Sequence, residues 1–265
     1  MSVTIIKGDG PVILGQPHSG TYVPDAIRTD LNDTGRALLD TDWRVDQLYE
    51  GLLESASTVR ADFHRYVIDP NRDPSGASLY PGQNTTGLVP LENFDGDSIW
   101  RNPPSASDIE ARREEFHAPY HAALQGEIDR ALNDYGVAIL YDCHSIRSEL
   151  PFLFEDRLPD LNIGDFNGAA CAPVITNAVA EVCAQAEQYS YVVNGRFRGG
   201  WTTRHYGSPA DNVHAIQMEL SQRCYLSSEE PPFAYDEQKA QALREVLTEA
   251  LHALDALARS GALNV

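Results

Sequence analysis

The chain has 265 residues, 42% of them hydrophobic, and a formal net charge of -19. That composition fits one large globular domain with a real core and argues against disorder. The charge would repel phosphate polyanions and anionic membranes, which excludes nucleic acid and lipid surfaces as natural partners.

Residues 11–20, "PVILGQPHSG", read as a short buried strand running into a Gly/Pro-rich loop. Leu38, Leu39, Val45, Leu48, Leu52 and Leu53 roughly follow helical spacing and predict a helix over residues 35–56. Residues 57–69 alternate enough for one or two strands. Residues 71–104 are rich in Pro, Gly, Asn and Asp and lack periodicity; so long a loop is more often functional than idle. Ser107 with Glu110 makes a capping-box pattern and opens a helix over residues 107–135, which Gly136 ends. The strand "GVAILYDCHS" follows. Residues 152–154 suggest another short strand, 171–188 a helix, and "YSYVVN" a strand. "GRFRGGWTTRHYG" reads as a Gly- and Arg-rich loop or turn, residues 213–221 as the last strand, and 233–260 as a C-terminal helix.

Strands alternating with helices, without internal repeat or linker, predict a single α/β domain over residues 1–265. Its sheet should be mixed and mostly parallel, flanked by helices. No apolar run reaches the roughly 18 residues of a membrane span. The start "MSVTIIKGDG" lacks the basic and apolar regions of a secretory signal, which sets the expectation of a cytoplasmic protein. Cys143, Cys171, Cys183 and Cys224 are scattered with no CxxC pair, so buried, reduced thiols are expected rather than disulfides or a cysteine metal site.

In parallel sheets ligands collect beyond the carboxyl ends of the strands. Three predicted strands end there in reactive groups: the first at His18, the middle one at Asp142 and His144, the last at Glu219. His18 and His144 suit metal ligation, since neutral imidazole is the usual nitrogen ligand for zinc; a loop histidine bonded to backbone is the plainer alternative for each. A catalytic zinc wants three protein ligands. "DTDWRVDQL" offers Asp40, Asp42 and Asp46 as the third, and Asp46, between Val45 and Leu48 on a turn that faces inward, is preferred to Asp42. Asp142 suits an orienting partner of an imidazole, or a strand cap.

Glu219 ends an apolar strand, where a carboxylate is costly to bury unless paired or functional. It reads as the general base that takes a proton from water, or as half of a buried ion pair. "RYVIDPNRD" carries Arg65, Asn71 and Arg72 in a composition that also makes a turn, and arginine beside asparagine is a good carboxylate grip. Nearly all basic residues are arginine, with lysine only at Lys7 and Lys239. In so acidic a chain Arg196, Arg198 and Arg204 look like a second grip on an anion, with a solvated basic loop as the alternative. The chain lacks a P-loop, a Rossmann glycine fingerprint and a GxSxG elbow. Ser19 and Ser145 each follow a His, but strand neighbours point to opposite faces, which is poor Ser–His geometry.

"PHSG", "DTDWRVDQLY", "RYVIDPNRD", "DCHS", "RGGWTTRHYG" and "MELSQRCYL", in this order from His18 to Leu226, resemble the N-formylglutamate amidohydrolase (N-formylglutamate deformylase) family. The resemblance implies hydrolysis of N-formyl-L-glutamate to formate and L-glutamate, a step of histidine breakdown, on a fold similar to the zinc carboxypeptidases and aspartoacylase (phosphorylase/hydrolase-like). It further implies one divalent metal on His18, Asp46 and His144, zinc first and cobalt, nickel or iron as alternatives. Arg65 would then hold the scissile carbonyl oxygen, Asn71 and Arg72 one substrate carboxylate, Arg198 or Arg204 the other, and Glu219 would be the base. The acidic ligand departs from the carboxypeptidase pattern: it lies far downstream of the first His and is Asp. Oligomeric state stays open, a homo-oligomer included. The rivals are a related metal amidase acting on another N-acyl amino acid and a non-catalytic dicarboxylate-binding protein, which would leave His18, His144 and Glu219 without roles.

Overall fold

A computed structural model of the protein describes residues 2–78 and 85–263. Seven strands form one sheet in the order β1-β3-β2-β4-β7-β5-β6. They are β1 (Val3–Ile6), β2 (Val12–Gln16), β3 (Ser57–Ala61), β4 (Ala138–Ile146), β5 (Leu161–Gly164), β6 (Tyr191–Val193) and β7 (Val213–Ser221). The β3-β2-β4-β7 run is parallel and so is β5-β6, while β1 and the β5–β7 join are antiparallel. The sheet is therefore mixed and mostly parallel, as the alternation of elements predicts.

The two central strands, β4 and β7, are buried along all nine residues. β4 accordingly opens on the continuous apolar run Ala138–Tyr141, whereas β7 alternates from Ile216 to Ser221 with buried polar residues at Gln217 and Glu219. One face is covered by α3 (Val45–Tyr49), α6 (Pro173–Gln185) and α8 (Glu237–Arg259). The other packs against α1 (Asp25–Asp30), α4 (Ala106–Arg112) and α5 (Ala118–Tyr135), with α2 (Asp33–Arg36) and α7 (Trp201–Tyr206) nearby. The four cysteines are free and buried, as expected. Among the described residues no helix is long and apolar enough to cross a membrane.

Several local expectations are corrected. The helix predicted over residues 35–56 is broken: only α2 and α3 are helical, and Leu38 and Arg44 adopt positive φ (52° and 63°). Between those two left-handed residues the chain turns inward, with Asp42 N–H donating to the His18 carbonyl at 3.1 Å. The capping box is real but sits two residues earlier, on Ser105 and Asp108. The helix it opens passes through a π turn at Arg113–His117 before α5 and ends at Gly136 in the left-handed conformation (φ 73°), where a glycine is favoured. Residues 152–154 form a turn, not a strand; β1 and β5 are additional strands. Residues 57–69 give one strand, β3. "GRFRGGWTTRHYG" contains a full helix, α7. Of the predicted loop over residues 71–104, positions 79–84 lie outside the described residues, and most of the remainder is irregular.

Candidate metal and catalytic site

β2, β3, β4 and β7 run in one direction, so their carboxyl ends open on one edge. His18 follows β2, Arg65 follows β3, and His144 and Glu219 are directly paired across β4 and β7. Paired residues point to the same face, which brings the imidazole and the carboxylate together. One cavity is lined by His18, Arg65, Asn71, Arg72, His144 and Glu219. Six residues singled out in the sequence thus meet at one place.

His18 Nδ1 lies 3.2 Å from His144 Nδ1. Asp42 Oδ2 is 3.3 Å from His144 Nδ1 and 3.9 Å from His18 Nδ1. The outer nitrogens are engaged: His18 Nε2 is 2.7 Å from Asp69 Oδ1, and His144 Nε2 is 3.1 Å from Asp142 Oδ2. His18 Nε2 must carry the hydrogen to meet Asp69, which leaves its Nδ1 lone pair bare. His144 Nε2 lies between the Asp142 carboxylate and the donating Asn71 Nδ2; with its hydrogen turned to Asp142, two Nδ1 lone pairs and the Asp42 oxygen converge, an arrangement suited to a cation. Tetrahedral bonds of about 2.0 Å to zinc would separate neighbouring donors by about 3.3 Å, close to the spacing found. His18, Asp42 and His144 form a buried group that could hold a metal, and the Asp69 and Asp142 carboxylates behind the imidazoles are the partners such ligands need.

The third member of this group is Asp42, not Asp46. Asp46 sits on the first turn of α3, is partly exposed, and pairs with Arg60 at 3.3 Å. The reason is the break before α3, which turns Asp42 inward. Ser145 N–H donates to its Oδ2 at 3.0 Å, and Arg65 donates to its Oδ1.

The electrostatics follow from burial and neighbours. Burial disfavours charge on His144, but Asp142, Asp42 and Glu219 outweigh it and lift its pKa well above the ordinary value; the site draws in positive charge. Burial and Arg65 lower His18 to about 4. Burial alone would raise Asp42 and Asp69, yet Arg65 and the histidines hold the first below the usual carboxylate range, and His18 and Arg72 the second. Glu219 goes the other way: burial pushes it up to about 8, against His144 and Arg65. Its Oε2 accepts from Gln217 Nε2 at 3.0 Å, and Gln217 Oε1 accepts from Gly200 N–H at 2.7 Å. Gln217 is two residues before Glu219 on the same strand face, so the period-2 spacing of a strand already pairs the two side chains.

Arg65 is buried, its guanidinium stacks 5.1 Å from the centre of the Phe94 ring, and its Nε has no hydrogen-bond partner among the described residues. Asn71 Oδ1 accepts from Thr202 N–H at 2.8 Å, and its Nδ2 lies 3.1 Å from His144 Nε2. The approach is so close that a Cβ at Gly200 would fall 2.3 Å from Asn71 Nδ2. Arg72 is tethered by Thr86, with Nε donating to its carbonyl at 2.9 Å and Nη2 to its hydroxyl at 2.8 Å. From the Arg-rich loop, Arg198 is exposed and Arg204 lies against Phe166, 4.6 Å from the ring centre. Neither lines the cavity; Arg196 does, beside Leu153 and Phe197. The loop's tight bend fixes which arginine turns inward, and composition does not reveal it.

Among the described residues, neither Ser145 nor Cys143 is poised as a nucleophile. The Ser145 hydroxyl accepts from Tyr225 at 2.7 Å, and burial raises the Cys143 thiol well above its ordinary range. The Glu219 carboxylate lines the cavity beside His18 and His144. An α/β sheet with such an edge defines a hydrolase.

Comparison with known proteins narrows the class. Residues 10–226 match the family model for N-formylglutamate amidohydrolase. An N-formylglutamate deformylase of Pseudomonas putida is 45% identical over 94% of this chain and 93% of its own length. One from Pseudomonas aeruginosa is 44% identical over 96% of each. The crystal structure of an N-formylglutamate amidohydrolase from Ralstonia eutropha JMP134 shares the fold, with a TM-score of 0.81 and 24% identity over 98% of each chain. The chain belongs to the N-formylglutamate amidohydrolase family.

Proposed function

We propose that the protein hydrolyses N-formyl-L-glutamate to formate and L-glutamate, with a divalent metal held by His18, Asp42 and His144. Two imidazoles and a carboxylate suit zinc, and also cobalt, nickel or iron. The observation that carries this reading is the convergence of three buried acceptor atoms beside Glu219, in a cavity lined by Arg65, Arg72 and Arg196. The substrate is that of the similar N-formylglutamate deformylases of the two Pseudomonas species.

A bound metal would lower the pKa of water towards about 7 and polarise the formyl oxygen. Glu219, held by Gln217, takes the proton of the attacking water and returns it to the departing glutamate nitrogen. Arg65, which lines the cavity, donates to the oxygen of the formyl group as negative charge gathers on it. The substrate has two carboxylates, and the cavity has two further arginines. Arg72, fixed by Thr86, grips one, helped by Asn71 Nδ2. Arg196 grips the other, in place of Arg198 or Arg204. Holding both ends of a dianion sets the small formyl group between metal ligands and base.

The test is formate release by wild type and Glu219→Gln across N-formyl-L-glutamate, N-formyl-L-glutamine and N-acetyl-L-glutamate. Wild type should favour the first, and Glu219→Gln should retain metal yet lose turnover. A wild type that prefers another acyl group would overturn the substrate, and an active Glu219→Gln would overturn the base.

A further inference from the structure

The substrate-holding turn Asp69–Arg72 is fastened from behind by two histidines that no step above uses. His117 Nε2 lies 3.0 Å from the Arg72 carbonyl oxygen, and His121 Nε2 lies 2.8 Å from that of Pro70. A carbonyl only accepts, so each Nε2 carries the hydrogen and donates. The two histidines are four residues apart, at the end of the π turn and the start of α5, and so share one helix face. The carbonyls they grip flank Asn71 on both sides.

The rest of the cluster closes around the same residue. His121 Nδ1 lies 3.0 Å from the Tyr206 hydroxyl. Burial holds His121 at about 3, so Nδ1 stays a bare acceptor for that hydroxyl at neutral pH. Trp201 packs edge-on to His121 with ring centres 4.7 Å apart, and also meets His117 at 5.7 Å. Trp201 is flanked by Gly200, against which Asn71 packs, and Thr202, whose N–H holds Asn71 Oδ1. The backbone of Asn71 is thus fixed by α5, and its side chain by α7.

We propose that His117 and His121 are positioning residues that set Asn71 and Arg72 for substrate binding. They do so through the carbonyls of Pro70 and Arg72, without touching substrate or metal ligands. Asp69 is held by His18 at 2.7 Å as well as by Asn71 N–H at 2.8 Å, so loosening the clamp should move KM before it moves metal content. The inference rests on the proposed substrate role of Asn71 and Arg72.

A glutamine amide can reach the place of an imidazole Nε2; an asparagine amide falls short, near Nδ1. His117→Gln and His121→Gln should keep KM for N-formyl-L-glutamate within about twofold of wild type. His117→Asn and His121→Asn should each raise KM roughly five- to tenfold, the loss of one hydrogen bond, a larger change than in kcat or metal content. Thermal melts identify any variant that fails to fold, and the glutamine variants then decide alone: a KM raised as much in folded Gln variants as in Asn variants overturns the clamp. Asparagine variants with wild-type KM overturn it too. A wild type inert towards N-formyl-L-glutamate would instead refute the substrate reading. The clamp is then judged by hydrogen exchange at the Asn71 and Arg72 amides, which the asparagine variants must speed and the glutamine variants must not.

Discussion

Residues 35–56 and α8 carry similar apolar spacing, yet only the second is one helix. α8 runs unbroken over 23 residues from its Asp236 cap, burying Leu243, Val246, Leu247, Ala250, Leu251 and Leu254 in one stripe. The earlier segment also buries Leu38, Val45, Leu48, Leu52 and Leu53, but is interrupted by three left-handed residues, Leu38, Arg44 and Gly51. What differs is Asp42, which must reach the histidines and Arg65. Its contacts there, with neighbours that hold the carboxylate ionised, outweigh the helical hydrogen bonds given up. The helix from α4 to α5 is intermediate: it stays helical but widens into a π turn just where His117 emerges, a distortion common at functional sites. Periodicity sets local structure where nothing competes, and yields in proportion to what the site asks of the segment.

The two aspartates of the broken segment should differ most. Asp42→Ala should lose bound metal and nearly all formate release, whereas Asp46→Ala should keep both within about twofold, since an exposed ion pair contributes little. Metal analysis with a turnover assay separates them; the reverse pattern would restore Asp46 as ligand. The next largest effect lies in α8. Leu247→Ala, at a fully buried position, should destabilise by about 2–5 kcal/mol in chemical denaturation while leaving KM unchanged in the folded enzyme.

The intermediate helix is sharpened by pH. Burial first, then His117, lowers His121 from 6.5 to about 3. The unfolded chain therefore binds the proton more readily, and this group's contribution to stability is present above pH 6.5 and lost as pH falls towards 3. Melting midpoints of His121→Gln should fall less steeply over that window than those of wild type; parallel curves would show that His121 is not kept neutral by the fold. The smallest effect is at the break itself. Arg44 is exposed with φ 63°, so Arg44→Gly should stabilise by up to about 1 kcal/mol, and Arg44→Val should destabilise. A stabilising valine would mean that the left-handed turn is not what interrupts the helix.

Much of the site was legible because it hangs on strand ends. β2, β4 and β7 are apolar runs that stop at polar residues, so His18, His144 and Glu219 stand out in the sequence, and Arg65, Asn71 and Arg72 follow from their carboxylate-binding pattern. Asp42 was not legible in the same way. The helical spacing around it favours Asp46, and only the pairing of Asp42 with Arg65 and Ser145 shows why the helix gives way. Arg196 is hidden for a related reason, since a loop of three arginines has no period to say which one faces in. Strands β1 and β5 escaped notice because each has four residues, too few for a pattern. β5 also buries an asparagine, Asn162, whose amide donates to the carbonyls of Pro159 and Glu219.

In the proposed mechanism His18, Asp42 and His144 hold a metal on which hydrolysis depends. Its most direct test follows formate release from N-formyl-L-glutamate and metal content together, as the purified protein is stripped by a chelator and then reloaded with zinc or cobalt. Turnover should vanish as one equivalent of metal leaves and return as one equivalent is restored. Full turnover by protein shown to contain no metal would contradict the claim.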